Sequence, residues 1–400
     1  MAVGVGGFYG QRLAQVSSST PVKAVPALAP WLQDQLQSLL SQRGHAWLLS
    51  GPSGLGQFEL ALALARAWLC EAPTPQGACG LCGSCHAVDV HTHADLCMLM
   101  PETLFLELGW PLDQKTQEEL DAKKRKPSKE IKVDAAREAV SFTQFTRSRG
   151  DTKVVLVFPA ERMNTITANT LLKTLEEPPG EVKFVLATEA TQQLLPTIRS
   201  RCQSHAMRWP GFEESLAWLA RISAEPDAPA ADGDEGGKSV KTVKAASQAV
   251  PPQPDDLRVL LAAAGGRPAD AREWVRGGAS AQAARDWRAL PKAMARGDVS
   301  ALGDLTPPMV VDALQKLCHD MWTVKLGAQP RFFSASDLPL PAQRPGANAA
   351  LPAASPASLF ALASWSKELA TTSRTVEHPY NPGLMLEALV SRASLALNTR

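Results

Sequence analysis

Residues 51–58 read Gly51-Pro52-Ser53-Gly54-Leu55-Gly56-Gln57-Phe58, between the apolar run Ala46-Trp47-Leu48-Leu49 and an alanine- and leucine-rich stretch ending at Leu69. An apolar strand, a glycine turn and a helix in direct succession leave few options for the fold. Glycines at this spacing let the chain turn tightly into a helix whose first N–H groups can face a phosphate. A working loop then continues with lysine, whose ammonium reaches the β/γ-phosphates, and with a serine or threonine hydroxyl on Mg²⁺. Gln57 and Phe58 stand in those two places and supply neither group. The stretch predicts a nucleotide-binding fold without its chemistry. Gly51, Gly54, Gly56, Gln57 and Phe58 form a degenerate phosphate loop, and no bound ATP is expected.

A second phosphate-site element is also broken. The apolar strand expected over residues 154–158 occupies the place where an active enzyme ends in paired acids, one on Mg²⁺ and one polarising the attacking water. Here it runs into Pro159-Ala160-Glu161. Glu161 comes one position late, and its plainer reading is a solvated carboxylate at a helix start.

Four of the seven cysteines, Cys70, Cys79, Cys82 and Cys85, follow the pattern C-x8-C-x2-C-x2-C. Two-residue gaps let a tight knuckle present successive sulfurs to one ion, and four thiolates suit tetrahedral, structural Zn²⁺ with no position left for a catalytic water. A ferredoxin-type cluster would want a further cysteine four positions on, where Asp89 stands. His86, His91 and His93 lie close enough in sequence to be alternative ligands. Clustered cysteines of this kind favour a metal in a reducing, cytoplasmic setting over disulfides.

The chain has 400 residues and a net charge of +1, with 45% apolar and 20% charged residues. That length suits two or three domains, and the balance excludes a global field drawing the chain onto nucleic acid or an anionic membrane. No apolar stretch approaches the roughly 20 residues that span a bilayer, and the N-terminus lacks the pattern of a secretory signal. From residue 26 to 209 short apolar segments alternate with helical ones, the mark of a parallel α/β sheet. Strands are expected at 46–50, 96–100, 154–158, 182–187 and 202–207, and helices at 31–42, 57–69, 133–145 and 168–177. Residues 102–132 interrupt the pattern with the basic run Lys123-Lys124-Arg125-Lys126-Pro127-Ser128-Lys129, read as a solvated loop for want of interleaved aromatics. Residues 224–254 have little to bury and read as disordered. Helical segments then continue to the end of the chain, broken by a proline-rich stretch at 338–357.

Further motifs carry a resemblance. Thr170-Leu171-Leu172-Lys173-Thr174-Leu175-Glu176-Glu177-Pro178-Pro179, then Phe184-Val185-Leu186-Ala187-Thr188, then Ser200-Arg201-Cys202 resemble the clamp-loader branch of the AAA+ proteins. With the four-cysteine module after the loop helix, the similarity is to the bacterial clamp loader. The broken loop and missing acids point to its subunit class with an inactive ATP site. The resemblance is strong over residues 26–209 and weak through Gly265-Gly266-Arg267-Pro268-Ala269 and the C-terminal helices. The inserts at 102–132 and 224–254 lie outside the family pattern.

The resemblance implies a flexible tail (1–25), an AAA+ α/β domain (26–209) with a zinc module (70–85), a small helical lid (210–280) and a C-terminal helical collar for oligomerisation (281–400). It implies that Arg201 reaches across a subunit interface to the ATP of a neighbour, with Arg199 the competing candidate. A guanidinium suits that task because it stays charged and offers phosphate a planar fork. Thr188 falls at the family's sensor strand end and is expected to be structural, while Ala269 stands where ATPase relatives carry a sensor arginine. Lys173, Glu176 and Glu177 read first as a solvated face. The implied partners are the gamma/tau ATPase subunits, the delta subunit and, through the complex, the sliding clamp and primed DNA, with no membrane contact. Two rival readings are a weak gamma/tau-like ATPase and a zinc-dependent nucleic-acid-binding protein.

Overall fold

The structure, a computed structural model, describes residues 28–224, 253–276, 280–302, 305–340, 355–376 and 381–399. The tail expected at 1–25 and all but the margins of the insert at 224–254 lie outside the described residues. The chain divides into two compact units, Met1–Pro210 and Gly211–Arg400.

In the first unit the elements run α1 (Pro30–Leu40), β1 (Ala46–Ser50), α2 (Gln57–Leu69), α3 (Gly83–Asp89), β2 (Leu96–Leu99), α4 (Glu102–Glu107), α5 (Gln114–Asp121), α6 (Val133–Gln144), β3 (Lys153–Val157), α7 (Thr165–Glu176), β4 (Val182–Thr188), α8 (Pro196–Arg199) and β5 (Gln203–Ala206). The strands form one parallel sheet in the order β2-β3-β4-β1-β5. Helices cover parallel sheets on both faces, so inner strands bury nearly every side chain. Val154, Val155, Leu156 and Val157 of β3 are all buried, as are Trp47, Leu48 and Leu49 of β1. The edge strand β5 is polar and largely exposed, a composition that discourages pairing with a further strand. The register sets Ser50 beside Thr188 on one side and Ala206 on the other. The carboxyl ends of β1 and β4 therefore meet at one edge of the sheet, where open α/β sheets bind ligands.

Two local features differ from the sequence expectation. Helix α7 begins at Thr165 instead of 168, because the Asn164 side chain accepts the Thr167 N–H at 2.9 Å and caps it. The insert at 102–132 is not a bare loop but carries α4 and α5. Its organiser is Glu102, 8% exposed, which accepts Arg125 Nη1 at 2.5 Å and Nη2 at 3.0 Å, the Ser128 N–H at 2.8 Å and Lys132 at 2.6 Å. Burial alone would raise the Glu102 carboxyl, but Arg125, Lys132 and the Ser128 amide outweigh it and hold it at about 2. Arg125 also pairs with Glu119, while Lys123, Lys124 and Lys126 are exposed.

The second unit contains α9 (Phe212–Ala224), α10 (Pro254–Ala263), α11 (Pro268–Arg276), α12 (Ser280–Arg296), α13 (Pro307–Lys325), α14 (Pro356–Thr375) and α15 (Pro382–Asn398). Val310, Leu314, Leu317 and Met321 of α13 share one buried core with Leu290 and Met294 of α12, Leu362 and Trp365 of α14, and Val390 of α15. Ala263 of α10 joins the same core, so the segments expected as lid and collar fall within one compact unit. Ala269 sits in the first turn of α11, between Arg267 and Asp270, which pair at 2.9 Å. Among the described residues no helix is long and apolar enough to cross a membrane.

Candidate functional site

The loop between β1 and α2 keeps the glycine turn for a local reason. Gly54 and Gly56 have φ of 78° and 94°, a left-handed conformation that costs a residue with a Cβ. At Gly56 a Cβ would also lie 2.6 Å from Leu32 Cδ1. The Trp31 indole N–H donates to the Leu55 carbonyl at 3.1 Å and fixes the turn against α1.

The loop is occupied by its own side chain. Gln57 is 2% exposed, and its Nε2 donates to the carbonyls of Gly51 at 2.9 Å and Pro52 at 2.6 Å. The amide thus satisfies carbonyls of its own turn and brings no positive charge to it. The Phe58 ring packs on Phe158, just beyond β3, with centroids 5.4 Å apart. Apolar rings fill the region where a hydroxyl and an acid would share Mg²⁺ in an active site.

Glu161 is not the solvated helix-start carboxylate expected. Thr188 Oγ1 donates to it at 2.7 Å and the Glu189 N–H at 3.1 Å, which ties the segment after β3 to the end of β4. Thr188 is fully buried and accepts the Ala190 N–H at 3.2 Å. A cleft of about 480 Å³ at this edge is lined by Ser53, Glu161, Glu189 and Arg162 among others. Two carboxylates against one guanidinium make a poor receptor for a triphosphate.

The four cysteines converge as the spacing requires. Cys82 caps α3 and accepts the N–H of Cys85, carried on that helix, at 3.4 Å. Sulfur separations are 3.7 Å for Cys70–Cys85, 3.8 Å for Cys70–Cys82 and 4.0 Å for Cys79–Cys85, and all four lie within 4.8 Å of one another. A tetrahedral ion with Zn–S bonds of about 2.3 Å needs sulfurs about 3.8 Å apart. The cluster therefore has the donor set and size to hold a metal ion. Burial pushes the Cys85 thiol up to about 12 and also raises that of Cys70. At Cys82 the same burial is outweighed by N–H groups, chiefly that of Cys85, which hold the thiol at about 6; the Leu81 and Cys82 amides lower Cys79. Four thiolates at this spacing need a cation to offset their mutual repulsion. The histidine alternatives are not brought in: His91 stacks on Trp110 and meets the Gly109 carbonyl, and His93 Nδ1 accepts the Asp95 N–H. No histidine joins the cysteine group among the described residues.

Arg201 lies between α8 and β5, half-buried, with Nε 2.6 Å from Glu176 Oε1 and Nη1 2.8 Å from the Thr197 carbonyl. Arg199 is exposed at the end of α8. Glu176 is exposed, as read from the sequence, and also pairs with Arg201. Helical periodicity contained no sign of this, because the pair joins residues 25 apart. Leu171 and Leu175 of α7 are buried.

The loop thus keeps the glycine turn of a phosphate loop and places an amide and a phenyl ring where a working loop carries lysine and a hydroxyl. Residues 28–209 match the family described as DNA polymerase III, delta subunit, and over this span the chain is similar to delta-prime subunits of DNA polymerase III. The delta-prime subunit of Pseudomonas aeruginosa is 41% identical over 204 residues, covering 50% of this chain and 54% of that protein. That of Escherichia coli is 35% identical over 197 residues, covering 48% and 52%. The tau subunit of Salmonella typhimurium is 34% identical over 181 residues, covering 45% of this chain and 24% of that protein. The chain thus spans about half the length of the delta-prime relatives it matches.

Proposed function

We propose that this chain is a non-hydrolysing subunit of the bacterial replicative clamp loader. It would offer Arg201 to the ATP held by a neighbouring gamma/tau-type subunit, in an assembly with a delta subunit that loads the sliding clamp onto primed DNA. The observation that carries this reading is the self-filled loop. Gln57 satisfies the loop carbonyls and Phe58 packs on Phe158, so neither charge nor hydroxyl meets a triphosphate. The delta-prime relatives over residues 28–209 support the assembly. An arginine acting in trans accounts for an intact Ser200-Arg201-Cys202 beside a loop of this kind, since its owner needs no nucleotide. Cys70, Cys79, Cys82 and Cys85 would hold a structural Zn²⁺ that cross-links the chain after α2 to α3. Closed by four sulfurs, such a site supplies folding energy and no reactive water. The helices from α12 onward would form the collar, and the assembly would work in the cytoplasm.

The test is ATP turnover by the chain reconstituted with gamma/tau and delta subunits, clamp and primed DNA, comparing it with Arg201→Ala. Turnover should fall by about 10³-fold with assembly intact, the range of a lost arginine finger. Unchanged turnover would retire Arg201 and bring Arg199 forward. The similarity to tau subunits favours a second reading, a weak ATPase of that class. Micromolar binding of a fluorescent ATP analogue with Mg²⁺ to the isolated chain would establish it against the first. Cysteine substitutions that abolish DNA binding while leaving residues 70–89 folded would instead favour a zinc-dependent nucleic-acid-binding protein.

A further inference from the structure

The Arg201–Glu176 contact engages a particular edge of the guanidinium. Nε donates to Glu176 Oε1 at 2.6 Å, and Nη2 pairs with that same oxygen. Nη1 donates to the Thr197 carbonyl at 2.8 Å, on the short helix α8 just before Arg201. A guanidinium carries five N–H groups in one rigid plane. Nε and Nη2 form its side-on fork, so Glu176 occupies that fork and Thr197 takes one N–H of Nη1. One N–H on Nη1 and one on Nη2 remain. The side chains of Arg201 and Glu176 keep 28% and 48% of their surface, so the remaining edge has access to solvent. Both supports stand on ordered backbone: Glu176 is the last residue of α7, which stops before Pro178-Pro179, and Thr197 lies within α8.

We propose that Glu176 is a positioning residue for Arg201, gripping its side-on fork so that the two remaining N–H groups are held ready for phosphate oxygens of a neighbouring subunit's nucleotide. This rests on the reading of Arg201 as the arginine acting in trans. The benefit is orientation, because the carboxylate offsets part of the guanidinium charge and so works against phosphate attraction. Orientation is worth a large factor in rate: misplacing a catalytic group by about 1 Å can cost about 100-fold. An acceptor oxygen should therefore matter more at position 176 than a negative charge.

The experiment uses the full assembly with clamp and primed DNA, and measures kcat and KM for ATP with Glu176→Ala, Glu176→Gln, Arg201→Ala and the double variant Glu176→Ala/Arg201→Ala. Gel filtration checks that each variant assembles. Glu176→Ala should lower kcat by about 10- to 100-fold with KM unchanged, and Glu176→Gln, which keeps an acceptor, should retain most of the turnover. In the Arg201→Ala background, Glu176→Ala should do nothing further, since it acts only through that arginine. Full turnover with Glu176→Ala beside a collapsed Arg201→Ala would overturn the positioning role and leave the finger standing. So would raised turnover in both Glu176 variants, which would make the carboxylate a restraint on the arginine, or an additional loss in the double variant. An inert Arg201→Ala would instead remove the finger reading itself, and Glu176 with it.

Discussion

Replacing Gly56 with alanine tests how far the fold itself requires the glycine turn of the loop. Gly56 has φ of 94° and a would-be Cβ 2.6 Å from Leu32 Cδ1, a side chain only 3% exposed. The left-handed backbone costs an alanine about 1–2 kcal/mol, and moving Leu32 off its rotamer about 0.5–1.5 kcal/mol more. Against this, alanine narrows the unfolded ensemble and returns about 0.4–1 kcal/mol. The net expectation is a loss of about 0.5–3 kcal/mol. Gly180 is the internal control: its φ is 67°, but nothing lies within 4 Å of its would-be Cβ. Gly180→Ala carries only the backbone cost and should lose about 0–1.6 kcal/mol. Native-state hydrogen exchange at the amides of β1 and β4 reads the first unit alone. With about 1.4 kcal/mol per decade, Gly56→Ala should accelerate exchange by about 2- to 140-fold, and by about 2- to 12-fold more than Gly180→Ala, the share of the Leu32 displacement. Equal effects of the two substitutions would show that the packing of Leu32 against the loop does not constrain Gly56.

Elemental analysis should find about one zinc per chain, and chelation should speed hydrogen exchange across residues 70–89 while β1, β3 and β4 stay protected; a zinc content near zero would refute the metal. Glu102 sets a pH dependence in the insert at 102–132. Its folded carboxyl is depressed to about 2, so its stabilisation is complete above the ordinary carboxylate range, about 4.3, and is lost as pH falls through 2. Limited proteolysis with an acid-stable protease should therefore cut the insert increasingly between those values, and Glu102→Gln should abolish that pH dependence. In the second unit, fully buried Asp320 accepts the N–H groups of Arg331 at 2.9 Å, Phe332 at 2.7 Å and Phe333 at 2.8 Å. Asp320→Ala strands three donors and should cost about 3–5 kcal/mol, read as faster exchange at the α13 amides; a loss under 1 kcal/mol would mean that water reaches those donors.

The first unit was legible in the sequence wherever a local pattern carried the information. The inner strands announced themselves as short apolar runs, helix α2 was bounded correctly at residues 57–69, and the cysteine spacing predicted a common cluster. Boundaries failed where a side chain decided them, as with the Asn164 cap of α7. The basic run from Lys123 to Lys129 is irregular, as its composition suggested, but α4 and α5 before it went unread because their apolar faces are weak. They are organised by a buried carboxylate whose partner Arg125 lies 23 residues away, a relation no helical or strand period contains.

Composition and order alone determined that this chain builds a parallel α/β unit with a phosphate-loop turn, that the turn lacks the lysine and hydroxyl of a working site, and that four thiols stand at metal-ligand spacing. These follow from residue type and local spacing, which act over a few residues. Only the tertiary structure decided what fills the loop, what Glu161 and Glu176 contact, and which edge of the Arg201 guanidinium Glu176 takes. Those answers depend on contacts between the ends of separate strands and helices, and such contacts exist only once the sheet register and the helix caps have brought distant residues together.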